Sequence, residues 1–99
     1  MALRIRPNEN RDLVDPQNGT YFTVYELQKL MGGYISMFRL NPQLVMVVGE
    51  NIKSLEENKS ATLIVITYKC TREVIFGDAI ICYNQEVSMI QKLLIAKMN

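Results

Sequence analysis

The 99-residue chain contains no histidine and only two cysteines, so the commonest general base and metal ligand is missing. With Cys70 and Cys82 as the only thiols, no plausible zinc set can be assembled, and a Cys nucleophile would need a base other than imidazole. No apolar stretch reaches the ~20 residues that span a bilayer. Two arginines within the first six positions break the opening apolar run, so no signal peptide is expected. The expectation is a cytosolic protein with both thiols reduced. Charge of one sign is also lacking: eleven Lys and Arg stand against ten Asp and Glu, scattered from Arg4 to Lys97. Neither the basic patch of a DNA or RNA binder nor the acidic field of a nucleic-acid mimic is visible. Folding could still gather Arg4, Arg6, Lys29 and Arg39 into a local basic pocket.

The chain does carry enough apolar residues, 48%, for one hydrophobic core and one domain over residues 1–99. Leu3 to Arg6 reads as a short strand ending at Pro7. Asn8 to Thr20 reads as a long loop, rich in turn formers around Asp15-Pro16-Gln17-Asn18-Gly19. Thr23 and Glu26 have the spacing of a capping box, and Val24, Leu27, Leu30 and Met31 form the apolar stripe of the helix that follows. Gly32-Gly33 ends it. Tyr34 to Leu40 alternates as a strand, with Ile35, Met37 and Arg39 on one face, and Leu44 to Val48 is the apolar run of a buried strand. A turn at Gly49-Glu50-Asn51 and an extended piece over Ile52 to Leu55 continue an antiparallel meander.

Glu56 to Thr67 is ambiguous. Its start favours helix, while Thr62-Leu63-Ile64-Val65-Ile66-Thr67 is β-branched and leans to strand after Ser60. Val74 to Tyr83 reads as strand interrupted at Gly77-Asp78. Asn84 can cap a last helix over 85–97, with Val87, Ile90, Leu93 and Leu94 on its buried side. The expected fold class is α+β: a small antiparallel or mixed sheet packed against one central and one C-terminal helix.

No spacing of residues supplies a familiar catalytic set. Cys82 lies in an apolar run and reads as a structural thiol. Gly32-Gly33 follows a helix instead of opening one, which is the wrong order for a phosphate loop. Asp78 has no second carboxylate at a telling spacing, and a Gly-Asp turn is usually structural. Tyr21, Phe22, Tyr25, Tyr34 and Phe38 crowd one third of the chain. Core packing takes most such rings, yet a tyrosine beside Lys29 or Arg39 can stack on a planar ligand with a cation near its phosphate.

Four pieces in order, Tyr25-Glu26-Leu27-Gln28-Lys29-Leu30-Met31-Gly32-Gly33-Tyr34-Ile35, then Leu44 to Val48, then Asn58 with Ala61-Thr62, then Ile75-Phe76-Gly77-Asp78-Ala79, resemble a family of small uncharacterised proteins of bacteriophages, prophages and mobile elements. The chain departs from that pattern with Glu56 where a proline is common, and with Ser36 where an acidic residue is common. The resemblance implies a phage or mobile-element accessory protein, and it implies a short helix across Glu56 to Leu63. On this basis the expected function is non-enzymatic: an anti-defence protein that binds and sequesters a nucleotide immune signal, as a homo-oligomer and without a cofactor or metal. Tyr34, Arg39, Asn58, Thr62 and Asp78 are the expected ligand-binding residues, with Arg on phosphate, Tyr on a base and the polar three on sugar or base edges. The alternative is a protein-interaction module that occludes a host or phage protein through the Asn8 to Thr20 loop or the last helix. A hydrolase or nuclease ranks third, because the groups for it are not visible.

Overall fold

The structure is a computed structural model, and it describes residues 1–50 and 56–87. Five strands, β1 (Ala2–Ile5), β2 (Arg11–Val14), β3 (Ile35–Arg39), β4 (Leu44–Gly49) and β5 (Ala79–Tyr83), form one antiparallel sheet in the order β2-β1-β5-β4-β3. Two helices, α1 (Val24–Met31) and α2 (Lys59–Thr67), complete the α+β fold. Among the described residues no helix is long and apolar enough to cross a membrane.

Side-chain alternation divides the sheet into two apolar faces. On β4, Val45 and Val47 join the cluster that contains Leu27 of α1, whereas Met46 and Val48 join the cluster that contains Ala61 and Val65 of α2. The two helices therefore cover opposite faces. This explains why Leu44 to Val48 is a continuous apolar run: a strand buried on both sides has no polar positions to alternate with. Helix α1 lies over β3 and β4, and among the described residues no helix lies over the β1–β2 hairpin on that face.

Helix α1 forms where expected. The Thr23 hydroxyl accepts the Glu26 N–H at 3.1 Å, and Gly32 closes the helix at φ 78° in the left-handed region that suits glycine. The reciprocal half of the capping box is not made, since the Glu26 carboxylate accepts the Gln17 N–H at 2.9 Å and so pins the preceding loop.

Three expectations are corrected. The Asn8 to Thr20 loop contains β2, which pairs with β1 in the register Ala2↔Val14 to Ile5↔Arg11 across a turn with Glu9 at φ 73°. The β-branched stretch after Ser60 is helical: Asn58 caps α2 by accepting the Ala61 N–H at 3.1 Å, and Ala61 and Val65 then meet the sheet at helical spacing. The helix expected over 85–97 does not begin at Gln85. Asn84–Glu86 is a single 3-10 turn, and Val87 is extended and bridges Phe22 in parallel. The rest of that span, 88–99, lies outside the described residues, as does the piece expected over Ile52 to Leu55.

Candidate functional site

Beside α1, the β1–β2 hairpin forms the floor of a groove. On that face β1 presents Arg4 opposite Asp12 of β2, and the guanidinium Nη2 stands 2.8 Å from the Asp12 carboxylate. This hydrogen bond holds the Asp12 carboxyl below its ordinary range and, together with the nearby charges of Asp12 and Asp78, raises the Arg4 pKa. The wall is the outer flank of α1, where Tyr25 and Lys29, four residues apart, share one face with Leu30. Arg4, Val14, Tyr25, Lys29 and Leu30 line a cleft of about 500 Å³ here. Tyr25 is 77% exposed, so its ring is not spent on the core.

A second cleft of about 490 Å³ adjoins the first through Leu30, which lines both. Arg6, Met31, Glu56, Gly77 and Asp78 contribute to it. Asp78 reaches this face because it precedes Ala79 by one residue, and Ala79 packs on the α2 side. The Arg6 Nε is 3.4 Å from Asp12, a long contact on a half-buried side chain. The two clefts meet at Leu30, and between them they carry an exposed aromatic ring, apolar Leu30 and Met31, the cations Arg4, Arg6 and Lys29, and the carboxylates Glu56 and Asp78. Such a set binds by stacking, ion pairing and hydrogen-bond acceptance.

Of the five expected ligand residues, Asp78 alone lines the groove. Asn58 is fully buried, and its amide is consumed by the fold: Nδ2 donates to the carbonyls of Ile5 at 2.9 Å and Gly77 at 2.8 Å, and Oδ1 accepts from Ala61. The Thr62 hydroxyl donates to the Asn58 carbonyl at 2.8 Å and accepts the Ile75 N–H at 2.9 Å, so it too serves the backbone. Tyr34 is exposed just before edge strand β3 and Arg39 is exposed at its far end, about 17 Å apart at strand rise. The five do not converge on one pocket.

Of the four cations that folding could gather into one pocket, Arg4 and Lys29 line one cleft and Arg6 the adjoining one, while Arg39 lines neither. Tyr25, noted among the clustered aromatics but not among the five, and Glu56, noted only as a departure from the family pattern, also line these clefts. The available signal was a tyrosine on the polar face of an amphipathic helix, four residues before a lysine.

The thiols lie elsewhere. Burial pushes Cys82 up to about 12, with the Glu86 charge adding to the shift, and burial also raises Cys70. Cys70 Sγ sits 3.1 Å from the Arg39 carbonyl. Among the described residues no three His, Cys, Asp or Glu side chains converge as a metal site. No family model, curated protein or solved structure matches this chain.

Proposed function

We propose that the chain is a non-enzymatic binding protein that captures a small nucleotide-like ligand in the groove between α1 and the β1–β2 hairpin. The observation that carries this reading is the exposed Tyr25 ring beside Lys29 and Arg4, continuous through Leu30 with Arg6, Glu56 and Asp78. A base stacks on Tyr25, Lys29 and Arg6 pair with phosphate oxygens, and Asp78 and Glu56 accept from sugar hydroxyls or base amines. Arg4 and Asp12 are already engaged with each other, and Glu26 with Gln17, which leaves few free cations among several carboxylates. That balance favours a ligand with one or two negative charges, such as a cyclic or mononucleotide, over a triphosphate.

In the mobile-element setting implied by the motif resemblance, the biological role is sequestration of a nucleotide signal used by host defence. Isothermal titration against cyclic and linear nucleotides is expected to yield a micromolar ligand, weakened about tenfold by Tyr25→Ala or Lys29→Ala. The reading fails if nothing in the panel binds tighter than about millimolar, or if product appears in the titrated sample. One observation favours a second reading, occlusion of a protein partner: the outward face of α2 is apolar.

A further inference from the structure

A third cleft, of about 520 Å³, opens at the C-terminal end of α2, where Ile66, Lys69, Thr71 and Arg72 line it. It shares no residue with the groove beside α1. Two of its lining residues are cations, and no carboxylate lines it. Among the described residues neither Lys69 nor Arg72 forms an ion pair, whereas Arg4 and Arg6 of the groove both pair with Asp12.

Lys69 occupies a position that α1 fills with glycine. After α1, Gly32 has φ 78°, and the next N–H, that of Gly33, returns to the Gln28 carbonyl at 2.9 Å. Helix α2 closes in the same way: Lys69 has φ 61°, and the next N–H, that of Cys70, returns to the Val65 carbonyl at 2.9 Å. A side chain in this left-handed position costs stability that glycine would not. The helix dipole does not account for it. A cation could serve the negative end of the helix from the last turn, which holds none, and the carbonyls of Ile64, Val65 and Ile66 already accept the N–H groups of Tyr68, Cys70 and Lys69. The loop that carries the cations is anchored. Cys70 packs on the α2 side of the core with its Sγ 3.1 Å from the Arg39 carbonyl, and the Thr71 hydroxyl accepts the Glu73 N–H at 3.1 Å, which leaves its own proton to donate. We propose that this cleft binds a small phosphate monoester, with the phosphate between Lys69 and Arg72, a hydrogen bond from Thr71, and the organic part against Ile66. Two cations and a hydroxyl donor suit a group that carries nearly two negative charges near neutral pH and three acceptor oxygens. The volume is that of a small-molecule site, with room beyond the phosphate itself.

Phenyl phosphate titrated into the full chain near neutral pH, followed by amide chemical shifts, is expected to give saturable shifts at residues 66–72 with a dissociation constant of about 1 mM or below. Lys69→Gly is expected to weaken binding at least about fivefold and at the same time raise the urea midpoint, because it removes a cation and relieves the backbone. Arg72→Gln should weaken binding by a similar factor, about fivefold. Phenyl sulfate, of the same shape with a single charge, should bind about fivefold more weakly, and inorganic phosphate, which lacks the ring, about threefold more weakly. Tyr25→Ala, in the groove, should leave all of this unchanged. Absence of saturable shifts at residues 66–72 by about 10 mM overturns the proposal, as does binding indifferent to Lys69→Gly and Arg72→Gln. Equal affinity for phenyl sulfate overturns the dianion, and equal affinity for inorganic phosphate overturns the ester. Loss of binding in Tyr25→Ala assigns the phosphate to the groove and overturns the second site.

Discussion

Asn58→Ala tests whether the buried amide holds the fold or serves a ligand. The side chain closes three separated backbone segments: the end of β1 through the Ile5 carbonyl, the turn before β5 through the Gly77 carbonyl, and the start of α2 through the Ala61 N–H. Removing an N-cap of this kind costs about 1 kcal/mol. Each buried carbonyl left without its donor costs roughly 1–3 kcal/mol more. Water cannot readily replace the amide, because the site is fully buried. The expected loss is roughly 3–7 kcal/mol, a large share of the ~5–15 kcal/mol that stabilises a domain. For a chain of this size that is a fall in melting temperature of at least about 12 °C. Urea titration followed by circular dichroism should show the lowered midpoint with little change in slope. Asn58→Asp is the matched control. It keeps the acceptor for Ala61 but aims a carboxylate at two carbonyls, so at neutral pH it should be at least as damaging, with partial relief in acid, where the protonated carboxyl donates again. A cost under about 1 kcal/mol for Asn58→Ala, with ligand binding lost instead, would refute this assignment and return Asn58 to a binding role.

Thr62→Val should cost about 1–3 kcal/mol by orphaning the Ile75 N–H, while Thr62→Ser, which keeps the hydroxyl, should recover most of it; the two urea midpoints decide. Cys82, held at about 12 by burial, should resist an aromatic disulfide reagent at pH 8 in the native protein and react only in denaturant, and rapid native modification at Cys82 would contradict its placement in the core. Asp12 has a folded pKa below 3.8, lowered chiefly by its hydrogen bond from Arg4, so its contribution is present above the unfolded value and is lost as pH falls through the folded one. Asp12→Asn should therefore flatten the acid limb of stability below about pH 4 and leave the shape of the curve above pH 5 unchanged; an identical acid limb in the variant would show the pair to be inert.

Local signals were enough for α1, because a cap, a stripe and a glycine stop all lie within ten residues and agree. They were also enough for β3 and β4, whose alternation or continuous apolarity reflects one or two covered faces. Strand β2 was hidden for a physical reason. Arg11-Asp12-Leu13-Val14 is half charged and sits among turn formers, and what makes it a strand is pairing with β1 together with the Arg4–Asp12 contact across it. The candidate site was less legible for a related reason. Polar residues in apolar surroundings stood out as Asn58 and Thr62, but polarity does not tell a ligand from a backbone carbonyl, and the carbonyls that Asn58 meets belong to residues 53 and 19 positions away. Tyr34 immediately precedes the strand that Arg39 ends, and five residues of extended chain keep them too far apart to hold one small ligand together.

The stretch that leaned towards strand is also the one that leaves α2 apolar on its outer side, and the two facts have one origin. A β-branched run such as Thr62 to Thr67 is a modest helix former, so its helix depends on what fixes its start and what packs on it. Asn58 supplies the start, the Thr62 hydroxyl ties the first turn to Ile75, and Ala61 and Val65 bury the inward side. None of these requires Leu63 or Ile66 to be apolar, and a lysine or glutamate at either position would be a better helix former and more soluble.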